Sequence, residues 1–220
     1  MKAVLVDYGA GNLRSVANAL RAVGISPSVA SASGELADAT HLVLPGVGSF
    51  GECMQQLDQR KLLEPVREWI LAGRPYFGIC LGYQILFEGS EETPGIEGLG
   101  LLSGQVCRFS EGPGLKIPHM GWNSVLPTQP SGPTWSGLGP APYFYYVHSY
   151  FPVPDDLSIV AARTQYGTDL FAAAVERPNL LGCQFHPEKS QNAGLQLIRN
   201  FFGLASPIVE KSVPSVPDGK

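Results

Sequence analysis

The chain has 220 residues and a formal net charge of −4 at pH 7, and this length suffices for one domain with a buried core. The acidic balance, without a basic patch and interleaved aromatic residues, argues against a nucleic-acid-binding protein. No run of about 20 apolar residues is present, so we expect no membrane span. The four cysteines lack the spacing of a disulfide framework. These features favour a cytoplasmic protein.

Strand and helix signals alternate through the first half of the chain. The N-terminal residues predict a short buried strand and not a signal peptide, because Asp7 interrupts the apolar run. Short apolar strands separated by helices are typical of a parallel sheet covered on both faces. The predicted strands are 3–6, 26–30, 41–44 and 76–79; the predicted helices are 12–23, 51–71 with a break at Pro65, and a segment that begins at Leu81.

The second half predicts shorter strands separated by turns, over 105–109, 122–126, 143–150, 158–162 and 171–176. The fold class that follows is α/β: a mainly parallel central sheet flanked by helices, with an antiparallel β addition to the same domain. The stretch 127–142 is rich in Pro, Gly and Ser and predicts a poorly ordered loop. Ser190 is predicted to cap a final helix. We place the domain at residues 1–205 and predict disorder for the tail over 206–220.

One cysteine lies on a predicted sharp turn between a strand and a helix. In the segment Gly78-Ile-Cys80-Leu-Gly82, glycines stand two residues before and after the cysteine. This arrangement is typical of a nucleophile elbow, where a Cβ on either side would crowd the strand or the helix. The first helical amides would then favour the thiolate. The alternative is an inert cysteine that packs as a small apolar residue.

A second segment, far along the chain, supplies a base and an acid. The run Gln184-Phe-His186-Pro-Glu188 follows a strand-like stretch, and its extended backbone would place the imidazole and the carboxylate on one side. A cysteine nucleophile needs a base, and that base needs a third group to fix its tautomer. Cys80, His186 and Glu188 therefore predict a catalytic triad.

Other sites that use similar residues lack their remaining parts. A zinc deaminase would need a later Pro-Cys-x-x-Cys, and no His-Glu-x-x-His or Cys-x-x-Cys occurs either, so we predict no metal site. The run Gly9-Ala-Gly11 begins like a dinucleotide loop, but Arg14 occupies the third glycine position. We therefore predict no nicotinamide or flavin cofactor.

The chain resembles the class I (triad-type) glutamine amidotransferases, whose fold is flavodoxin-like. Three blocks carry the general resemblance: 44–48 (Leu-Pro-Gly-Val-Gly), 78–84 and 184–188. Further blocks resemble one branch of the family, the glutaminase subunits of imidazole glycerol phosphate synthase. These are 7–15 (Asp-Tyr-Gly-Ala-Gly-Asn-Leu-Arg-Ser), 118–123 (Pro-His-Met-Gly-Trp-Asn), 145–150 (Tyr-Tyr-Val-His-Ser-Tyr) and 186–190.

The resemblance implies hydrolysis of the side-chain amide of L-glutamine, with no cofactor. It implies that the backbone N–H groups of Leu81 and Val47 stabilise the oxyanion, with Gly46 in the same loop. It also implies that Gln84 holds the α-amino and α-carboxyl end of the substrate. Ser149 and Tyr150 are expected to add backbone contacts to that end.

The resemblance further implies a partner, because free ammonia would be lost to water. The expected partner is a separate (β/α)₈-barrel cyclase subunit, which makes imidazole glycerol phosphate and AICAR in histidine biosynthesis. The residues expected at the junction or the ammonia gate are Asn12, Trp122, Asn123, Tyr145 and Lys189. From the sequence alone, Trp122 fits a core anchor equally well, and Lys189 fits a solvated surface residue.

Two other functions are compatible with parts of this pattern. A stand-alone cysteine hydrolase of the same fold, of the γ-glutamyl peptidase type, would share the triad but would act without a partner. A binding or scaffold protein that has lost catalysis would not need an intact Cys80, His186 and Glu188. The blocks at 7–15 and 118–123 favour the amidotransferase subunit over the stand-alone hydrolase, and the intact triad argues against the scaffold protein.

Overall fold

The computed structural model describes residues 1–204, and the predicted disorder over 206–220 lies outside the described residues. The helices are α1 (Leu13–Ala22), α2 (Phe50–Gln59), α3 (Leu63–Leu71), α4 (Leu81–Gln84) and α5 (Gln191–Phe201). The strands are β1 (Ala3–Val6), β2 (Ser28–Ala30), β3 (His41–Gly46), β4 (Tyr76–Cys80), β5 (Gly89–Ser90), β6 (Gly104–Arg108), β7 (His119–Ser124), β8 (Leu126–Pro127), β9 (Tyr143–His148), β10 (Tyr150–Pro154), β11 (Val160–Tyr166), β12 (Asp169–Arg177) and β13 (Leu180–Cys183).

The central sheet has eight strands in the order β2-β1-β3-β4-β13-β12-β11-β8. Strands β2, β1, β3, β4 and β13 are mutually parallel, and the remaining three continue the sheet in antiparallel pairing. Two small sheets accompany the central one: β10-β6-β5, in which β10 is antiparallel and β5 parallel to β6, and the antiparallel β7-β9 pair. The predicted α/β fold with an antiparallel addition is confirmed.

The parallel strands are apolar throughout because both faces of the sheet are covered. In β1, Ala3 and Leu5 pack into the core beside α1 and α5, whereas Val4 and Val6 pack into the core beside α2 and α3. The alternation of strand side chains thus sends successive residues of one strand into two different cores. Within residues 1–204, no helix has the length and apolar character needed to cross a membrane.

The predicted helix over 51–71 is two helices, but its break is not at Pro65. Helix α2 ends at Gln59, and Lys61 has a left-handed φ of 56°, after which α3 begins at Leu63. Pro65 therefore lies in the first turn of α3, where the missing N–H has no helical partner to lose. The prediction of a break at the proline was wrong for this reason.

The stretch 127–142 is an irregular loop, but its centre is held in place. Trp135 is buried in the core, and the side-chain amide of Asn200 in α5 donates to the carbonyl oxygens of Thr134 and Ser136. The prediction of low order is wrong for this centre, because one buried indole and two hydrogen bonds outweigh the loop-like composition.

Candidate active site

Cys80 ends the central strand β4 in a left-handed backbone conformation, with φ 54° and ψ −102°. A Cβ on Gly78 would collide with the carbonyl oxygen of Gly82, and a Cβ on Gly82 would collide with that of Leu44. Both glycines are therefore required by close backbone contacts, as the elbow pattern predicts. The strained backbone at Cys80 is maintained by this packing. The helix that follows begins at Leu81, as predicted, and has four residues.

His186 and Glu188 form a buried pair at the end of the neighbouring strand β13. The imidazole Nδ1 lies 2.8 Å from Glu188 Oε1, and each side chain is 2% exposed. Because a carboxylate oxygen accepts, Nδ1 carries the proton and Nε2 is directed away from Glu188. The buried Nε2 forms no hydrogen bond within the protein. It is therefore available for proton transfer.

Opposing effects set the protonation of His186. Burial lowers the pKa of the imidazole, but the nearby Cys80 sulfur and the Glu188 carboxylate outweigh burial and raise that pKa to about 10. The imidazole is therefore held in its protonated form beside the sulfur at neutral pH. A cysteine and a cationic histidine in this arrangement can serve as the nucleophile and the acid of a covalent mechanism.

Ser190 fixes the backbone of the histidine and does not act as a side-chain cap. Its hydroxyl donates to the carbonyl oxygen of His186 (2.6 Å) and accepts from the backbone N–H of Tyr145 (3.0 Å). The N–H of His186 donates to the Tyr145 carbonyl oxygen at 2.8 Å. Ser190 is the N-cap residue of α5, as predicted, but its hydroxyl makes no capping hydrogen bond because this bridge between β9 and the histidine turn occupies it.

A cavity of approximately 370 Å³ joins the two strand ends, a size suited to a small ligand. Several residues singled out in the sequence line it: Cys80, His186, Val47, Leu81, Gln84, Ser149 and Tyr150. Sequence reasoning did not assign the other lining residues to the site: Gly48, Glu92, Pro118, Val147 and His148. Glu92 lies in the turn that follows β5 and belongs to no motif that could have identified it.

Gly46 lies beneath the cavity and not in its wall. It pairs with Cys80 in register between β3 and β4, and a Cβ there would lie 2.6 Å from Leu81 Cβ and 2.7 Å from Tyr8 Oη. Val47 is 40% exposed, and Gly48 has a φ of +101° that favours glycine. The loop that bears the predicted oxyanion donor is therefore held by close contacts at Gly46, whereas its Val47 residue is partly exposed to solvent.

A chain of amide groups connects the cavity wall with the cysteine sulfur. The side-chain amide of Gln84 donates to the carbonyl oxygen of Tyr150 (2.9 Å) and to Gln184 Oε1 (3.1 Å). Gln184 Nε2 in turn lies 3.6 Å from Cys80 Sγ. Gln184 was not among the predicted site residues, although its position two residues before His186 places both on one side of the extended segment.

His148 also faces the cavity, but its surroundings do not suit a general base. Its Nδ1 donates to the Tyr150 carbonyl oxygen at 2.8 Å, so its Nε2 accepts from Nδ1 of His119 at 3.0 Å. Burial lowers the pKa of His148 to about 3 and that of His119 to about 4. Both rings are therefore neutral hydrogen-bonding residues of the cavity wall.

The residues predicted for a partner junction lie in different settings. Trp122 is 47% exposed and contacts the Tyr145 ring at 6.3 Å between centroids, and Lys189 Nζ lies 5.7 Å from that ring. These three form one surface cluster above the histidine turn. Asn12 caps α1 by accepting from the Ser15 N–H, and α1 packs on the same turn. Asn123 is held inward, because its amide donates to the Gln165 carbonyl oxygen.

No group of three or more His, Cys, Asp or Glu side chains within residues 1–204 is arranged to hold a metal ion. A larger, open groove of approximately 1030 Å³ lies elsewhere, lined by carboxylates such as Glu64 and Glu88 and by Arg67. Its lining contains neither cysteine nor histidine. The chemistry of a nucleophile and a base is therefore found at the smaller cavity.

Comparison with known proteins finds relatives over most of the chain. The sequence model described as Glutamine amidotransferase class-I matches residues 4–204. The chain belongs to the class I glutamine amidotransferase family. Within this family it is 49% identical over 201 residues to the imidazole glycerol phosphate synthase subunit HisH of Thermosynechococcus vestitus, covering 91% of this chain and 95% of that relative. The HisH subunit of Synechococcus elongatus is 47% identical over 197 residues, with 90% of both chains covered.

Solved structures of amidotransferases share the fold at low sequence identity. The structure of PurLQS from Thermotoga maritima superposes with a TM-score of 0.72 at 22% identity, covering 92% of this chain and 97% of that chain. A crystal structure of a glutamine amidotransferase superposes with a TM-score of 0.68 at 24% identity, covering 91% and 97%. This amidotransferase therefore has the architecture of its family.

Proposed function

We propose that this chain hydrolyses L-glutamine to L-glutamate and ammonia as the amidotransferase subunit of a cytoplasmic imidazole glycerol phosphate synthase. In this proposal, the ammonia passes to a separate (β/α)₈-barrel cyclase subunit that makes imidazole glycerol phosphate and AICAR in histidine biosynthesis. The observation that carries the proposal is the cavity lined by both Cys80 and His186, whose imidazole is paired with the buried Glu188, in a chain 49% identical to a HisH subunit.

Cys80 Sγ attacks the side-chain carbonyl carbon of glutamine and forms a tetrahedral oxyanion. The protonated Nε2 of His186 then donates its proton to the departing nitrogen, so that ammonia leaves and a thioester remains on Cys80. Nε2 next accepts a proton from water as the water attacks the thioester. Glutamate leaves, and the sulfur–imidazolium pair is restored. Throughout, Glu188 holds Nδ1–H and stabilises the imidazolium form.

The oxyanion requires backbone donors at the position that its oxygen will occupy. The N–H of Leu81, directly after the nucleophile, is one proposed donor, and the N–H of Val47 is the other. The partly exposed Val47 precedes Gly48, whose left-handed φ of +101° supports a loop that can turn this N–H into the site. In this arrangement, Gly46 is glycine because Leu81 and Tyr8 leave no room for a Cβ.

The α-amino and α-carboxyl end of the substrate is proposed to lie against Gln84, Ser149 and Tyr150. The amide nitrogen of Gln84 already donates two hydrogen bonds, so its carbonyl oxygen Oε1 remains to accept from a substrate ammonium. Glu92 is the carboxylate in the cavity lining, and one of its oxygens accepts from the Phe50 N–H at 2.7 Å. An ammonium group is attracted to such a carboxylate, so we add Glu92 to the proposed substrate contacts.

The proposed cyclase contact is the cluster of Trp122, Tyr145 and Lys189. An exposed tryptophan beside a cation is typical of an interface anchor, and neighbouring Met120 is 63% exposed. Lys189 would pair with an acidic residue of the cyclase. Asn12, at the start of α1, is proposed to lie at the edge of this interface. Asn123 is proposed to support the interface indirectly, because its side chain connects β7 to β11.

The experiment measures glutamate release from glutamine by the chain alone, and then with the matching cyclase subunit and its nucleotide ligand. We expect slow release by the isolated chain and strong stimulation in the complex. Equal rates in both would contradict the proposal and support a stand-alone hydrolase of the γ-glutamyl peptidase type. The Trp122→Ala variant should lose stimulation while its basal rate stays unchanged.

A further inference from the structure

Gln184 lies between the substrate end of the cavity and the nucleophile, and it is fully buried. Its backbone N–H donates to the Ala173 carbonyl oxygen in β12 at 2.9 Å, which fixes the main chain from which the amide extends. Its side chain bridges Gln84, at 3.1 Å from its Oε1, and Cys80, at 3.6 Å from its Nε2. A buried amide is costly without partners, and these two satisfy one acceptor and one donor.

The direction of this amide chain is set by a group that can only accept. The Tyr150 carbonyl oxygen accepts from Gln84, so the Gln84 atom facing it is nitrogen. The second hydrogen on that nitrogen requires an acceptor, and Gln184 must therefore present its oxygen to Gln84. The nitrogen of Gln184 is then directed at the sulfur. If the side-chain amide of Gln184 were rotated by 180°, its N–H group would face the N–H group of Gln84 and neither would have an acceptor.

An amide N–H interacts differently with the two forms of a cysteine. A thiolate is a charged acceptor, and hydrogen bonds to charged groups are stronger than those to neutral groups. A thiol or a thioester sulfur accepts only weakly. The contact therefore favours the sulfur in its attacking form and loosens once the acyl group is attached. The one-turn helix α4 offers only a short dipole for the same purpose.

We propose that Gln184 is a positioning residue for the nucleophile, which holds the Cys80 thiolate by an N–H···S hydrogen bond aligned through Gln84 and the Tyr150 carbonyl. The inference rests on the proposed function only in taking Cys80 as the nucleophile. Because Gln84 also lies at the proposed substrate end, a change in its hydrogen bonds on substrate binding reaches the sulfur through one amide.

The test replaces Gln184 by methionine, which has a similar length but no N–H donor, and by asparagine, which keeps an amide but is one methylene shorter. The matched control is Gln165→Met, because the Gln165 side chain donates to the Gly167 carbonyl oxygen in an exposed turn. The rate of alkylation of Cys80 by iodoacetamide is followed against pH by peptide mass spectrometry, which separates Cys80 from the other three cysteines.

The Gln184→Met variant should move the pH of half-maximal Cys80 alkylation upward by about one unit, the effect of one charge-assisted hydrogen bond. It should also lower kcat/KM for glutamine roughly tenfold, with most of the change in kcat. Gln184→Asn should shift in the same direction. The titratable groups that interact with this sulfur are His186, Cys183 and Tyr8, and all three remain in these variants. Burial raises the pKa of Cys183 and of Tyr8, so both stay neutral, and His186 is the charged group beside the sulfur.

An unchanged alkylation profile in both variants, with a lower Tm as the sole effect, would overturn the proposal and leave Gln184 as a packing residue. A shifted profile supports it even if the wild-type complex fails to hydrolyse glutamine, because alkylation does not depend on that reaction. That combination would refute the proposed function and keep the contact. A shift of equal size in Gln165→Met would also overturn the proposal.

Discussion

Two buried histidine clusters face the same cavity with opposite electrostatics. His186 has a pKa raised to about 10, whereas His148 and His119 have pKa values lowered to about 3 and about 4. All three rings are largely removed from water, which by itself penalises the imidazolium form. The difference lies in their partners: a carboxylate and a sulfur beside His186, and a carbonyl oxygen and a second imidazole around His148.

This contrast shows how one fold assigns a catalytic and a structural role to the same side chain. A negative partner within hydrogen-bond distance reverses the effect of burial, while a neutral partner leaves that effect in place. Proximity to the nucleophile does not decide the role, because His148 also lines the cavity. The position of the Nδ1 proton does not decide the role either, because each of the three rings donates from Nδ1 to the group that fixes it.

Replacing Cys80 by alanine should have the largest effect on the difference between His186 and the His119–His148 pair. The variant loses the nucleophile, so we expect glutamine hydrolysis to fall by about 10³-fold or more. Because the sulfur is one of the groups that raise the His186 pKa, that pKa should also fall, as NMR titration of the imidazole would record. Cys107→Ala, in β6 and outside the cavity lining, is the control. Substantial residual hydrolysis in Cys80→Ala would place the nucleophile elsewhere.

Glu188→Gln should reduce the pKa difference between His186 and the His119–His148 pair, because it removes the second negative partner of His186. The amide cannot stabilise the imidazolium and can stabilise the wrong tautomer, so we expect kcat to fall roughly 10²-fold or more. The His186 pKa should fall, and the stability that its raised pKa provides below about pH 10 should shrink. Glu91→Gln, which removes a carboxylate bonded to the Arg108 N–H, is the control. An unchanged His186 titration would contradict this account.

The neutral His119–His148 pair should make the folded protein less stable in mild acid. In the unfolded chain, His119 and His148 take up protons near the ordinary pKa of about 6.5, whereas the folded chain resists protonation to about pH 4. Between these values the unfolded state binds more protons, so stability falls as pH falls. The urea midpoint should decrease from pH 7 to pH 5, and the decrease should be smaller in His119→Gln. Equal decreases would exclude this pair as the cause.

Tyr8→Phe should have the smallest effect and tests a buried group that lacks a partner. The Tyr8 hydroxyl is fully buried near the Val47 N–H and the Cys53 thiol, but it forms no hydrogen bond of good geometry with either. Removing an unsatisfied hydroxyl should leave stability unchanged or raise the free energy of unfolding by up to about 1 kcal/mol. Denaturant unfolding measures this change. A loss of more than 1 kcal/mol would reveal a hydrogen bond that the hydroxyl makes.

The sequence predicted the parallel strands and the elbow because both rest on local rules. Apolar strands between helices specify a covered parallel sheet, and glycines around Cys80 specify a turn that tolerates no Cβ. The break at Pro65 and the order near Trp135 were predicted wrongly, since each depends on what surrounds the residue. Pro65 lies in the first turn of α3, where it removes no helical hydrogen bond, and the Trp135 indole is buried in the core.

For the buried polar side chains, too, part of each role followed from the sequence and part from the tertiary structure. The residue types and their order in the chain determined that Cys80, His186 and Glu188 could form a triad, because nucleophile, base and acid are properties of the side chains themselves. Only the tertiary structure decided that Gln184 faces the sulfur, that Ser190 holds the histidine backbone and that His148 stays neutral. Hydrogen-bond partners and burial come from strands distant in sequence, and these set the direction and the pKa of each group.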